Sequence, residues 1–246
     1  MKTKFLTLIS AASALALSAC GGSDTGAAPS SDALAKVAAP AGKAWSDMAI
    51  KLPEGGYKMG NPAAKLQLKE FGAISCPGCA KLSVDSTAEL RQMVGTGVVA
   101  FEYHPYLVHG IQDVPGFLLA QCNGPEAFFG LTEQLYANQQ EWLGKLQTVK
   151  PDEFAAVQAQ PPAAQITYLA GKMDLINFVK ARGVSEDAAK LCLSDPKGFQ
   201  ALVAQSEKAS KDDAITGTPT LFLNGKRLDT GEWKQIKIDL KNAGAR

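Results

Sequence analysis

The sequence predicts an α/β fold whose strand-bearing halves are separated by a block of helices. Three observations carry this expectation. An alternating stretch at 64–71 runs through a short turn into a helical pattern; about a hundred residues after Pro105 lack strand patterning; and strand signals return at Thr220 before an amphipathic close. At 246 residues the chain is long enough for one large domain or two small ones. A composition of 46% hydrophobic and 20% charged residues is that of an ordinary globular protein and excludes collagen-like, coiled-coil and wholly disordered classes. Lys and Arg number 25 against 24 Asp and Glu, a net charge of +1, so no field attracts a polyanion and nucleic-acid binding is not expected.

Lys2 and Lys4 precede an apolar run over 5–19 that ends in small residues, the pattern of a secretory signal. The run falls short of the about 20 residues needed to span a bilayer. It ends Leu17-Ser18-Ala19-Cys20, which resembles a bacterial lipobox. Residues 1–19 are therefore expected to be a lipoprotein signal peptide and Cys20 the lipidated first residue of the mature chain; the other reading is a plain cleavage site beside an unmodified thiol. Residues 20–42 are small, polar and proline-punctuated, too poor in bulky apolar groups for a core, and read as a flexible lipid-anchored tether. Its r.m.s. span of about 25 Å would hold a domain off a membrane surface. Loss of Lys2 and Lys4 leaves one more acid than base, so electrostatic attachment to anionic lipid is not implied.

The folded part begins near Trp45, and its first clear element is the strand over 64–71. Leu66, Leu68 and Glu70 fall on one face by parity, which turns a carboxylate toward the core unless the strand ends at Lys69. Then comes Ser75-Cys76-Pro77-Gly78-Cys79. Proline favours the first helical position, so Pro77 as N1 makes Cys76 the N-cap and Cys79 the third residue of the helix. A sulfur there meets free amides and the positive end of the helix dipole, which favours its thiolate; Cys79, one turn in and on the buried side, suits a resolving thiol. A zinc site would need two more ligands, and His104 and His109 form no paired motif with these cysteines. A plain structural disulfide between Cys76 and Cys79 stays open on the residues alone. A second strand over 98–103 is broken by Pro105, and helices are expected over 115–122, 125–140, 163–182, 185–193 and 196–211. A hairpin follows over 220–228 with its turn at Asn224-Gly225, and a last helix begins at Glu232.

Glu70, the Cys76-Pro77-Gly78-Cys79 motif and the run over 217–225 together resemble the DsbA-like branch of thioredoxin-fold thiol-disulfide oxidoreductases, across roughly residues 52–245. The resemblance implies a thioredoxin fold with a helical domain inserted between its two halves: 43–106 and 212–246 thioredoxin-like, 107–211 the insertion. It implies that Glu70 is the acid that assists proton transfer to or from Cys79. It makes Pro77 and Gly78 the active-site dipeptide, and Thr218-Pro219 a cis-proline loop whose backbone pairs with an extended substrate segment. Without the cysteine motif, Pro219 would read as an ordinary trans proline entering a strand. Cys122 and Cys192 fall in the insertion, where the resemblance implies a second, non-catalytic disulfide; two buried free thiols are the alternative. The activity implied is exchange of disulfides with exported proteins that carry cysteines, without cofactor or metal, served by a membrane redox partner. The location expected is exported, anchored by lipid and facing the periplasm or cell envelope. Net oxidation is favoured over isomerisation or reduction. One position departs from the family. Its oxidases commonly place histidine where this chain has Gly78, which predicts a weaker oxidant than the about −120 mV of DsbA, nearer the about −270 mV of thioredoxin. The reading from another class is a redox-inactive binding module that holds copper or an unfolded client between the same two sulfurs.

Overall fold

A computed structural model describes residues 32–246. The signal-peptide reading, Cys20 and the first part of the expected tether lie outside the described residues. The rest of that tether is not free: the Leu34 amide bonds the Gly244 carbonyl at 3.0 Å and the Val37 amide bonds the Thr96 carbonyl at 2.9 Å. Trp45 Nε1 bonds back to the Val37 carbonyl at 2.9 Å. Leu34 and Ala39 pack against the core, so the apolar residues scattered among the small ones dock the chain earlier than its composition suggests.

Six strands among the described residues form one sheet: β1 Ala49–Lys51, β2 Tyr57–Gly60, β3 Leu66–Gly72, β4 Val99–Pro105, β5 Thr220–Leu223 and β6 Lys226–Arg227. Their order is β1-β2-β4-β3-β5-β6. β3 and β4 are parallel, joined by helix α1, Pro77–Gly95, and the other pairs are antiparallel. β4 is buried along its whole length, as a central strand covered on both faces must be. Pro105 does not break that strand but ends it, opposite Gly72 at the last step of the register. The Asn224-Gly225 turn takes positive φ at both residues, 50° and 80°, which these two residue types tolerate. β1 and β2 lie outside the sequence expectation because three and four residues are too few to display alternation.

Between β4 and β5 come eight α-helices: α2 Val114–Ala120, α3 Pro125–Ala137, α4 Gln139–Gly144, α5 Pro151–Gln158, α6 Pro162–Lys172, α7 Leu175–Lys180, α8 Glu186–Leu193 and α9 Pro196–Asp212; α10, Trp233–Asn242, closes the chain. The fold is a thioredoxin fold with a helical insertion. Two expected helices are each two. The 125–140 pattern breaks at Asn138, and 163–182 breaks at Asp174, which adopts left-handed φ of 58°. α5 was not expected at all; it exposes most of its length and buries no residue fully. The chain leaves and re-enters the sheet near 106 and 212, but one core runs across those boundaries. Tyr57 of β2 stacks on Phe128 of α3 at 3.8 Å between ring centroids, and Phe101 of β4 meets Phe129 at 5.8 Å. Full burial of each such ring contributes about 1.5–3 kcal/mol, which holds the insertion rigidly against the sheet and above the start of α1.

Candidate active site

β3 carries the chain into the site with Leu66, Leu68 and Glu70 buried and Gln67 and Lys69 only half-buried, the alternation a one-sided strand requires. Glu70 thus points under the N-terminus of α1. Cys76 is the N-cap of that helix, with extended φ and ψ of −76° and 120°, and Pro77 follows at the first helical position. The Cys79 amide donates to Cys76 Sγ at 3.3 Å, and the Cys76 thiol donates to the Thr218 carbonyl at 3.3 Å. Both cysteines are free thiols.

The two sulfurs are driven apart electrostatically. The Cys79 thiol donates toward Cys76 and lowers its pKa to about 5; burial opposes this, while the Thr218 hydroxyl and the amides of Cys79 and Gly78 add to it. Cys79 is held well above its ordinary value, first by burial and then by its neighbour Cys76. Glu70 is raised to about 8, chiefly by burial and then by the Cys76 charge. A sulfur ionised at neutral pH, next to one kept protonated above a protonated acid, can form a mixed disulfide and resolve it.

The Thr218–Pro219 bond is cis and sets Pro219 over the motif. A Cβ added at Gly78 would lie 3.3 Å from Pro219 Cδ and 3.7 Å from Cys76 Sγ, so the dipeptide and the proline are in close contact. On the far side of Pro219, a Cβ at Gly231 would come within 2.8 Å of its Cγ. Gly231 therefore gives Pro219 the room to sit where it does, a requirement the sequence pattern did not reveal.

The turn between β3 and α1 is gripped by the insertion. Tyr136 Oη of α3 donates to the Ala73 carbonyl at 3.1 Å, and Gln139 Nε2 of α4 donates to the carbonyls of Ile74 and Cys76 at 2.9 and 3.0 Å. The fully buried Asp113, just before α2, accepts from the Ser75 amide at 2.9 Å, the Ser75 hydroxyl at 2.6 Å and the His109 amide at 2.9 Å. His109 Nδ1 lies 2.6 Å from the same hydroxyl. Burial pushes the Asp113 carboxyl up, against the bonds from Ser75 and His109 that lower it; with the serine hydroxyl donating to Asp113, the imidazole Nδ1 is the donor to the serine oxygen. Sequence reasoning missed Ser75, Asp113, Tyr136 and Gln139 because each is a single polar residue 34 to 65 positions from its partner. Asp113 alone left a trace, as an acid directly before the Val114-Pro115 helix start.

Cys122 and Cys192 form a disulfide with Cα atoms 5.8 Å apart, tying the end of α2 to α8. It lies within the insertion, apart from Cys76 and Cys79.

A family model described as thioredoxin matches residues 53–241. The chain belongs to the thioredoxin family. A curated relative from Rickettsia bellii, named "Putative protein-disulfide oxidoreductase", is 25% identical over 195 residues, covering 79% of this chain and 66% of its own length. One from Rickettsia conorii with the same descriptive name is 23% identical over 208 residues, 80% of this chain and 65% of its own. The chain thus spans just under two thirds of the length of these relatives. Among solved structures, a protein-disulfide isomerase from Novosphingobium aromaticivorans superposes with a TM-score of 0.71 at 26% identity, over 77% of this chain and 97% of that one. Wolbachia pipientis alpha-DsbA1 superposes with a TM-score of 0.60 at 14% identity, over 79% and 92%, a likeness of fold. The likeness to alpha-DsbA1 is one of fold, and in this chain the helical insertion lies between the halves of the thioredoxin fold.

Proposed function

We propose that this protein is an exported, membrane-tethered thiol-disulfide oxidoreductase that exchanges disulfides with cysteine-bearing proteins through Cys76 and Cys79. The observation that carries the reading is the split between the two sulfurs: Cys76 at a helix N-cap with its pKa lowered to about 5, Cys79 beneath it with its pKa raised. In the oxidising direction a substrate thiolate attacks Cys76 Sγ of the Cys76–Cys79 disulfide, and Cys79 leaves as a thiolate that takes a proton from Glu70. The second substrate thiolate then attacks the substrate sulfur of the mixed disulfide and releases the Cys76 thiolate. Two electrons pass to the pair, which a membrane redox partner takes back. Run in reverse, the same steps reduce a substrate, with Glu70 accepting the Cys79 proton.

Two features support net oxidation outside the cytosol. A Cys76 thiolate stabilised by four donors, without help from an imidazole at Gly78, favours the reduced form and so the transfer of the disulfide to clients. The bonded Cys122–Cys192 pair fits a compartment where disulfides persist. The relatives' names agree in activity class. The Thr218-Pro219 loop, half-buried at the rim beside Cys76, is the edge for an extended client segment. The signal at 1–19 and lipidation of Cys20 supply export and the tether.

The test equilibrates the purified protein with glutathione buffers and assays oxidation of a reduced client, beside a Cys79→Ala variant. The reading expects client oxidation and a trapped mixed disulfide through Cys76; no trapped species overturns it. For the tether, Cys20→Ser should release the protein from the membrane fraction, and a wild type already soluble after export overturns lipidation.

A further inference from the structure

The near-neutral charge balance conceals a local excess of cations. At the end of α1 opposite Cys76, the last turns of α1 and α10 bound a cleft of about 650 Å³ lined by Lys36, Lys237, Lys241 and Arg246, with Glu89 as the one acid in its lining. Glu89 is already held by Lys237 Nζ at 2.8 Å and by Trp233 Nε1 at 3.1 Å. Lys36 and Lys241 are exposed and form no ion pair among the described residues. The cations come from residue 36 and from 237–246, so no basic run in the sequence announces them and a net charge of +1 averages them away. A cleft lined by one sign of charge focuses the field and concentrates counter-ions. The N-terminal segment joins the domain at this same end. The Leu34 amide on the Gly244 carbonyl, past the end of α10, and the Val37 amide on the Thr96 carbonyl, at the C-cap of α1, place Lys36 between them. α1 has 19 residues, about 28 Å at 1.5 Å per residue, and Cys76 caps its other end. Residues 21–33 separate Cys20 from Leu34, at most about 45 Å of fully extended chain.

We infer that this basic cleft docks on the phosphate headgroups of an anionic bilayer and so holds the Cys76 end of α1 about 28 Å further out, toward arriving clients. The inference goes beyond the exchange reading and rests on the tether reading above for its orientation. The group recognised is the lipid phosphate, whose charged oxygens accept from three ammonium groups and a guanidinium. A single free phosphate in a cleft of this size would reach few of these cations at once, whereas a headgroup layer presents an oxygen to each. A basic residue close to such a surface is worth about fivefold in partitioning, so an excess of three charges gives on the order of a hundredfold. That is weak and reversible alone, and the short connection to a lipidated Cys20 raises the local concentration enough to make it effective. A membrane partner that takes electrons at the lipid surface meets Cys76 when the domain undocks, which the length of the connection allows.

The test uses the mature chain, expressed without residues 1–19 and with Cys20→Ser so that no lipid is attached. It is sedimented with phosphatidylcholine vesicles that carry about one-third phosphatidylglycerol or none, at an ionic strength of about 0.01 M, where charges act over about 30 Å. This reference chain should partition to the anionic vesicles alone and leave them at about 1 M salt. Lys36→Gln with Lys241→Gln should lower the partitioning about 25-fold. Lys150→Gln with Lys197→Gln, a control at exposed lysines of the insertion, should lower it far less. Inorganic phosphate should compete no better than chloride at equal ionic strength. Equal losses in the two double variants, or displacement by phosphate beyond that by chloride, overturns the docking surface and leaves the exchange reading intact. For the orientation, lipidated protein carrying a fluorophore on Cys76 should transfer less energy to headgroup-labelled lipids than its Lys36→Gln, Lys241→Gln variant does, and equal transfer overturns it. A wild type already soluble after export overturns the tether, and the orientation with it.

Discussion

Cys122 and Cys192 are bonded across the insertion from positions 70 residues apart, whereas Cys76 and Cys79 sit one helical turn apart as free thiols. The bonded pair joins two helices of the insertion, where its effect is to restrict the unfolded chain. The free pair lies where a helix begins, with amides, a threonine hydroxyl and a buried acid converging on it. One pair is thereby a structural bond and the other, in the function we propose, the pair for exchange, and the difference comes from what surrounds each sulfur. Sequence separation alone would not tell the roles apart.

Breaking the bonded pair is expected to have the largest effect on stability and the least on chemistry. Closing a loop of this length is worth about 4 kcal/mol in the chain-entropy model. A Cys122→Ser, Cys192→Ser double variant should lose up to that much in denaturant unfolding while keeping the low titration midpoint of Cys76. A raised midpoint would mean that the bond also shapes the site.

The insertion and the site are joined through Asp113, which tests whether the two regions are separable. Asp113→Asn places an amide N–H₂ opposite donors that the carboxylate accepts, from Ser75 and His109. It should cost about 1–3 kcal/mol and slow exchange, because the turn ahead of Cys76 loosens. Unfolding and client-oxidation measurements on the same sample check both.

The free pair should also make stability depend on redox state and pH. The Cys76 pKa in the folded reduced protein lies near 5, below its unfolded value, so its stabilisation is fully present above the unfolded pKa and is lost as pH falls through about 5. The oxidised form lacks this contribution. The advantage of reduced over oxidised protein in thermal unfolding should therefore widen as pH rises from about 5 toward about 9. Glu70 acts in the opposite sense: raised to about 8, its contribution is present below about 4.5 and is lost as pH rises through about 8. An advantage that does not change with pH would contradict the thiolate assignment.

The smallest expected change comes at the rim. Thr218→Val removes the hydroxyl that favours the thiolate and should move the Cys76 midpoint upward. Gly78→His should move it downward by bringing an imidazole near the sulfur, provided Pro219 yields the few tenths of an ångström that the new Cβ needs.

The candidate site was legible in the sequence wherever its geometry is local. Pro77 fixes the helix start and hence the N-cap at Cys76; strand parity turns Glu70 inward; Asn224-Gly225 specifies the hairpin. What was hidden depends on tertiary packing. The grip of Asp113, Tyr136 and Gln139 on the turn needs helices brought from far along the chain, and β1 and β2 are too short to alternate. The helix breaks at Asn138 and Asp174 lie inside continuous apolar periodicity, so no local signal marks them except residue types that tolerate unusual φ. The shared core across the 106 and 212 boundaries was likewise invisible, because aromatic pairs such as Tyr57 and Phe128 join distant segments.

The most direct test of the central claim is a titration of the reduced protein by thiolate absorbance, matched with the pH dependence of alkylation at Cys76. A single midpoint near 5 is predicted, absent in Cys76→Ser and moved upward in Cys79→Ala, which loses the largest hydrogen-bond contribution to the low value. A midpoint in the ordinary thiol range of about 8.5, or a low one that persists in Cys76→Ser, would contradict the assignment of Cys76 as the nucleophile.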